Sequence, residues 1–252
     1  MKGKNPLINN RDPSVAEFTL SRANVLPQDD KESYYLQADI KSFFTSIEHQ
    51  ILYSLITKKI KNEEILWLAR TIIYHDCARD VPPKIQSQPA LFAKLPAEKS
   101  LFKVKKGQGL PIGNLTSQFL ANVYLNQLDQ FVKHKLKAKY YLRYVDDFII
   151  LSHNKNKLEN FRQEISDFLL KRLKLNLHPK KQKISQIKNG IDFVGYFIKP
   201  DYVLIRRRVV GEYRYRLAKH LQKPSKNWQQ TPSSYFAHFK WANSWGLRKK
   251  LR

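Results

Sequence analysis

The chain of 252 residues has little cysteine, few acidic residues for its size, and no long apolar run. Cys77 is its one cysteine, so there is no intrachain disulfide and no cysteine-based zinc site. His75-Asp76-Cys77 stands without a second cluster and reads as ordinary packing or surface residues. This cysteine usage suits a reducing, cytoplasmic location. No apolar stretch approaches the ~18 residues a membrane-spanning helix needs. The opening residues, Met1-Lys2-Gly3-Lys4-Asn5, are polar and basic and lack the apolar centre of a secretory signal, so no membrane partner is expected. Acidic residues number 21 against 46 Lys and Arg, a formal net charge of +25. A chain so charged repels itself unless a polyanion neutralises it, and nucleic acid is the first such partner to consider. Aromatics reach 12%, many of them among basic residues, which suits base stacking beside phosphate contacts.

The pattern along the chain predicts an α+β domain with a mostly antiparallel sheet packed on helices. Residues 1–33 are polar and read as a short, loosely structured segment. Tyr34-Tyr35-Leu36-Gln37-Ala38-Asp39-Ile40 reads as a strand ending in a carboxylate. Thr45-Ser46-Ile47-Glu48 has the form of a helix capping box. A second helix is expected from Asn62, with Ile65, Leu68, Ala69, Ile72 and Ile73 as an apolar stripe. Residues 78–111 are rich in proline and read as a long loop. Helices follow over about 116–136 and 157–173. Asn189-Gly190 carries the signal of a tight hairpin, and 192–198 with 202–205 reads as another strand pair. From Arg206 the chain is basic and helical, and a linker around Pro224–Pro232 precedes a last helix over 233–251.

The chemistry centres on Tyr140-Tyr141-Leu142-Arg143-Tyr144-Val145-Asp146-Asp147-Phe148-Ile149-Ile150-Leu151. Two apolar runs flank two adjacent aspartates, a strand–turn–strand pattern with both carboxylates at the turn. Adjacent like charges repel unless a cation sits between them. If the strand ending at Asp39 lies beside this hairpin, three carboxylates converge at one sheet edge. Such a set suits Mg²⁺, which prefers oxygen ligands and keeps positions open for phosphates.

These residues and their order resemble the motifs of bacterial reverse transcriptases, and most those of diversity-generating retroelements. Asp39-Ile40-Lys41-Ser42-Phe43-Phe44-Thr45-Ser46-Ile47 resembles the first metal-binding motif, and Tyr144-Val145-Asp146-Asp147 the second. Gly109-Leu110-Pro111-Ile112-Gly113-Asn114-Leu115-Thr116-Ser117-Gln118 resembles the motif that contacts template and nucleotide. Its Ser-Gln ending is the diversity-generating form, where intron enzymes usually carry Ser-Pro. Leu177-His178-Pro179-Lys180-Lys181 and Gly190-Ile191-Asp192-Phe193-Val194-Gly195-Tyr196 resemble later palm motifs, and Ser233-Ser234-Tyr235-Phe236-Ala237-His238 the thumb.

The resemblance implies a right-hand polymerase with a palm over 34–205, a basic helical thumb over 206–252, and fingers reduced or missing in 1–33. It implies RNA-directed DNA polymerisation with two Mg²⁺ ions, Mn²⁺ being a substitute. The catalytic and metal-binding residues would be Asp39, Asp146 and Asp147, with the Ile40 carbonyl. Phe44 would be the gate that excludes a 2′-hydroxyl. Ile112, Gly113, Asn114, Gln118 and Lys180 would meet the nucleotide, and Lys181, Arg206, Arg207, Arg208, Arg214 and Arg216 the nucleic acid. Implied partners are an RNA template, a DNA or RNA primer, deoxynucleoside triphosphates and a small basic accessory protein. The basic fingers patch of the family finds no match before Asp39 beyond Arg22 and Lys31. A reverse transcriptase of intron or phage-defence lineage, and a palm that binds RNA or DNA without polymerising, are the alternatives.

Overall fold

A computed structural model describes residues 33–75, 104–224 and 228–251. The N-terminal segment with Arg22 and Lys31, the pair Asp76-Cys77 and most of the proline-rich loop lie outside the described residues. The described residues divide into two compact units, one within Tyr35–Ile184 and one within Ser185–Arg252. Among the described residues no helix is long and apolar enough to cross a membrane.

The larger unit is built on a four-stranded sheet in the order β2-β3-β1-β4, where β1 is Tyr34–Asp39, β2 Tyr140–Tyr144, β3 Asp147–Ser152 and β4 Lys183–Gln186. Strand β1 is apolar on both faces and lies inside the sheet, with Tyr35, Leu36 and Ala38 all fully buried. Strands β2 and β3 form the expected antiparallel hairpin, with Tyr144 opposite Asp147. Strand β3 neighbours β1, so the end of β1 and the hairpin turn meet.

Helices α1 (Phe43–Ser46) and α2 (His49–Thr57) replace the single capped helix expected at Thr45. The capping box does not form, because Thr45 lies inside α1 and its hydroxyl donates to the Ser42 carbonyl. The Glu48 carboxylate instead accepts from Gln108 Nε2. Helix α3 (Glu63–Tyr74) starts where expected, with the Asn62 side chain accepting from the Ile65 amide. Its apolar stripe is present, yet only Ile73 is buried. Ile65 and Leu68 are about half exposed and line a groove of roughly 710 Å³ with Phe119 and Leu120. Helix α4 (Leu115–Gln130) buries Leu120, Tyr124 and Leu128 and continues into a wide turn over Phe131–Lys135. Helix α5 (Lys155–Phe168) ends in a similar wide turn, Leu169–Leu173, and the Phe131 and Phe168 rings stack at 4.3 Å.

The smaller unit carries a three-stranded antiparallel sheet, β5 (Ile191–Phe193), β6 (Tyr196–Ile198) and β7 (Val203–Ile205). The hairpin expected at Asn189-Gly190 is not formed. Strand β4 belongs to the four-stranded sheet, and Ile187–Asn189 is a single helical turn leading to β5. Gly190 is needed there for a second reason: at φ 86° a Cβ would run into the Phe197 ring. The tight two-residue hairpin lies instead at Val194-Gly195, between Phe193 and Tyr196. Helix α6 (Arg207–Gln222) follows. The last helix is two, α7 (Gln230–Phe239) and α8 (Trp245–Lys250). The break arises because Asn243 exchanges hydrogen bonds with the Val203 backbone and the Ser244 hydroxyl donates to the Phe239 carbonyl. Pro232 falls in the first turn of α7, where its missing N–H costs nothing. Ile205, Tyr213, Tyr235, Phe239 and Leu251 form the core of this unit.

Candidate active site

The end of β1 delivers Asp39 to a nearly closed position, 5% exposed. Its carbonyl accepts from the His178 amide at 2.7 Å, and the Ile40 amide donates to the Asp146 carbonyl at 3.3 Å. These backbone bonds tie strand end, hairpin turn and the 177–181 segment together. The Lys181 ammonium forms an ion pair with the Asp39 carboxylate. Asp146 is pushed up to about 7 by burial and by the charges of Asp39 and Asp147, against a weaker pull from Lys181. After burial, the neighbouring charges of Asp39 and Asp147 are what raise the Asp146 carboxyl, consistent with β3 lying beside β1.

Among the described residues no three or more histidine, cysteine, aspartate or glutamate side chains are drawn together closely enough to hold a metal ion by themselves. The donor set nevertheless fits a hard divalent cation. It offers only oxygen, it carries excess negative charge, and such an ion completes its shell with water and phosphate rather than with protein alone. Asp39, Asp146 and Asp147 are the side chains that would hold it.

Around this point the other expected residues fall into two groups. Phe43 takes the core position, 2% exposed, while Phe44 remains half-buried with its ring tilted 5.3 Å from that of Phe43. The Phe44 carbonyl accepts from the Leu110 amide, which ties the 109–118 motif to α1. Ile112, Gly113, Asn114 and Gln118 are exposed at the start of α4. Asn114 occupies the N-cap position without a side-chain cap bond, so its amide is not spent on the helix. Lys180 is exposed and its amide donates to His178 Nδ1. In the smaller unit Arg207, Arg208 and Arg214 are exposed. Arg206 pairs with Asp192 at 2.7 Å, and Arg216 pairs with Glu212 and lies over the Tyr235 ring.

A network that the motifs did not single out supports the hairpin. Tyr141 and Arg143 alternate onto one face of β2 and both reach Asp129 of α4. Arg143 donates through Nε and Nη2 at 2.8 and 2.6 Å, and the Tyr141 hydroxyl donates at 2.7 Å. Burial and the Asp129 charge push the Tyr141 phenol well above its ordinary range. The spacing of two in a strand was the available signal.

Comparisons with known proteins agree with this geometry. The family model for "Reverse transcriptase (RNA-dependent DNA polymerase)" matches residues 2–198. Protein YkfC of Escherichia coli (strain K12) is 24% identical over 217 residues, 72% of this chain and 49% of that protein. The group II intron-encoded protein LtrA of Lactococcus lactis subsp. cremoris is 24% identical over 228 residues, 66% of this chain and 35% of that protein. This chain thus spans half or less of the length of these curated relatives. Among solved structures, apo telomerase from Candida tropicalis shares the fold with a TM-score of 0.54 at 18% identity, over 76% of this chain and 35% of that one. With the family match covering both aspartate motifs and most of the described residues, the chain belongs to the reverse transcriptase family.

Proposed function

We propose that this chain is the polymerising core of an RNA-directed DNA polymerase, acting on an RNA template with a DNA or RNA primer and deoxynucleoside triphosphates. The observation that carries the reading is the shared field of Asp39, Asp146 and Asp147 at the junction of β1 and the β2–β3 turn. Enzymes of this family use divalent metal ions, and we assign Mg²⁺ here, two ions, on the all-oxygen donor set. Bound there, the ions would lower the pKa of the primer 3′-hydroxyl and offset charge on the departing pyrophosphate.

The chain's own residues then have distinct tasks. Phe44, excluded from the core by Phe43, is available to pack under the sugar and reject a 2′-hydroxyl. Ile112, Gly113, Asn114 and Gln118 offer an exposed surface for nucleotide and template, with Lys180 for the triphosphate. The basic helix α6, with Arg207, Arg208 and Arg214 exposed, would take phosphates, as would Lys181 once a metal ion takes its place on Asp39, and binding should weaken steeply with salt. Arg206 and Arg216 already have protein partners and serve more to fix α6. Residues 34–205 correspond to a palm and 206–252 to a thumb. The Ser117-Gln118 ending supports a diversity-generating retroelement lineage, with a small basic accessory protein and frequent errors at template adenines.

Primer extension on a homopolymer RNA template with Mg²⁺ tests the reading. Asp39→Asn and Asp146→Asn should abolish extension while leaving primer–template affinity within about twofold, because the lost charge faces metal rather than nucleic acid. Substantial extension by either variant contradicts it. Sequencing of the copied DNA tests the lineage, and equal error rates at all four template bases would favour another branch of the family.

A further inference from the structure

We propose that Arg143 is a positioning residue that clamps the strained peptide ahead of Asp146 and so aims the two hairpin carboxylates. The inference rests on the polymerase reading of those carboxylates. Between Tyr144 and Asp147 the hairpin leaves two residues in the turn, Val145 and Asp146. Val145 has φ 55°, and Asp146 is not among the residues with positive φ. A two-residue turn with positive φ at its first position alone ordinarily places glycine there. A β-branched residue in that region is an outlier that persists only when its surroundings hold it.

The holding group is visible. Arg143 Nη1 donates to the Val145 carbonyl at 2.8 Å and to Asn122 Oδ1 at 3.2 Å. The guanidinium is fixed in turn by the two-pronged contact with Asp129, and its side chain is only 10% exposed. Asn122 and Asp129 both belong to α4, so a helix holds the guanidinium and the guanidinium holds the turn. The Val145 carbonyl belongs to the peptide whose nitrogen is that of Asp146. Fixing that peptide plane fixes the direction in which Asp146 leaves the backbone. On the other side of the turn the Ile40 amide holds the Asp146 carbonyl. The peptides on both sides of Asp146 are thus pinned. Arginine suits the task, because its planar fork can satisfy a carboxylate with one edge and reach a carbonyl with the remaining nitrogen; a lysine ammonium cannot do both with this geometry.

The experiment compares the full chain with Arg143→Met, Arg143→Lys, Val145→Gly and the double variant Arg143→Met/Val145→Gly, with Asp146→Asn as control. Two readouts are taken: hydrogen exchange across 144–148 without metal, and the Mg²⁺ concentration for half-maximal extension. Arg143→Met should speed exchange in the turn at least tenfold while α4 stays protected. It should also raise the Mg²⁺ midpoint roughly tenfold, the usual size for losing a group that orients a metal ligand. Glycine at 145 removes the strain the clamp resists, so the double variant should move the Mg²⁺ midpoint back toward the parent. Arg143→Lys should behave like Arg143→Met, and it decides the matter if the methionine variant does not fold. Parent-like exchange and midpoint in either variant overturn the proposal. So does a uniform loss of protection through the unit that glycine at 145 does not relieve, since that marks a merely structural residue. If Asp146→Asn leaves extension unchanged, the polymerase reading fails, whereas the exchange arm still accepts or rejects the clamp.

Discussion

Two hairpin turns in this chain begin with the same unsuited residue and solve the problem differently. Val145 opens the turn between β2 and β3 at φ 55°, and Val194 opens the turn between β5 and β6 at φ 48°. In the second turn the next residue is Gly195 at φ 87°, so the pair takes the doubly left-handed form that a twisted hairpin favours. A backbone bond from the Arg206 amide to the Gly195 carbonyl at 2.9 Å braces it. In the first turn the next residue is Asp146, a carboxylate of the proposed metal site. There the turn is held from outside, by Arg143 from one side and the Ile40 amide from the other. A structural turn can place glycine where the backbone asks for it. A turn that carries chemistry keeps its functional side chain and borrows rigidity from a side-chain network.

Three changes should separate the two solutions. The largest effect is expected from Asp129→Ala, which leaves the Arg143 guanidinium without its carboxylate in a largely buried setting. A loss of about 3 kcal/mol in denaturant stability is expected, together with a higher Mg²⁺ midpoint. A cost confined to stability would leave Asp129 as packing alone. Next is Gly195→Ala, which forces a Cβ into the left-handed region and should cost roughly 1–2 kcal/mol. That loss should appear in denaturant melts with no change in the Mg²⁺ midpoint, because this turn carries no ligand.

The smallest of the three is a pH effect. Burial and like charges raise the Asp146 carboxyl to about 7, so the folded chain holds a proton that the unfolded chain releases near its ordinary value. Without metal, this group's contribution to stability should therefore be greatest below its unfolded value and fall as pH climbs toward 7. Asp146→Asn removes that dependence. Relative to the parent it should raise the melting temperature more at pH 8 than at pH 5, by roughly 2–4 °C for each kcal/mol recovered. Equal shifts at both pH values would mean that the folded chain does not raise the Asp146 carboxyl.

What could be read in the sequence depended on whether the deciding interaction was local. The β2–β3 hairpin was legible because alternating apolar residues bracket Asp146-Asp147, and the placement of Asp39 followed once its strand was assumed to lie beside that hairpin. Phe44 beside Phe43 was not decidable from spacing, since burial of one ring rather than the other depends on the packing of α1. Asn189-Gly190 carried a strong local hairpin signal that failed because β4 is claimed by the larger sheet, a long-range pairing no short motif records. Val194-Gly195 makes the turn instead, with a valine that turn statistics would not choose. The long C-terminal helix broke for a similar reason. Asn243 and Ser244 find better partners outside the helix, one of them the distant Val203. The Arg143 network was least visible, because its meaning comes from α4 residues that only the fold brings beside β2.

The central claim is that Asp39, Asp146 and Asp147 form one divalent-cation site at the sheet edge. Titration of the chain with Mn²⁺, followed by the loss of the free-ion paramagnetic resonance signal, measures that site without requiring a primer, a template or turnover. Saturable binding is expected in the parent and in Gly195→Ala, and its loss in Asp39→Asn, Asp146→Asn and Asp147→Asn. Binding that survives unchanged in all three aspartate variants would contradict the account.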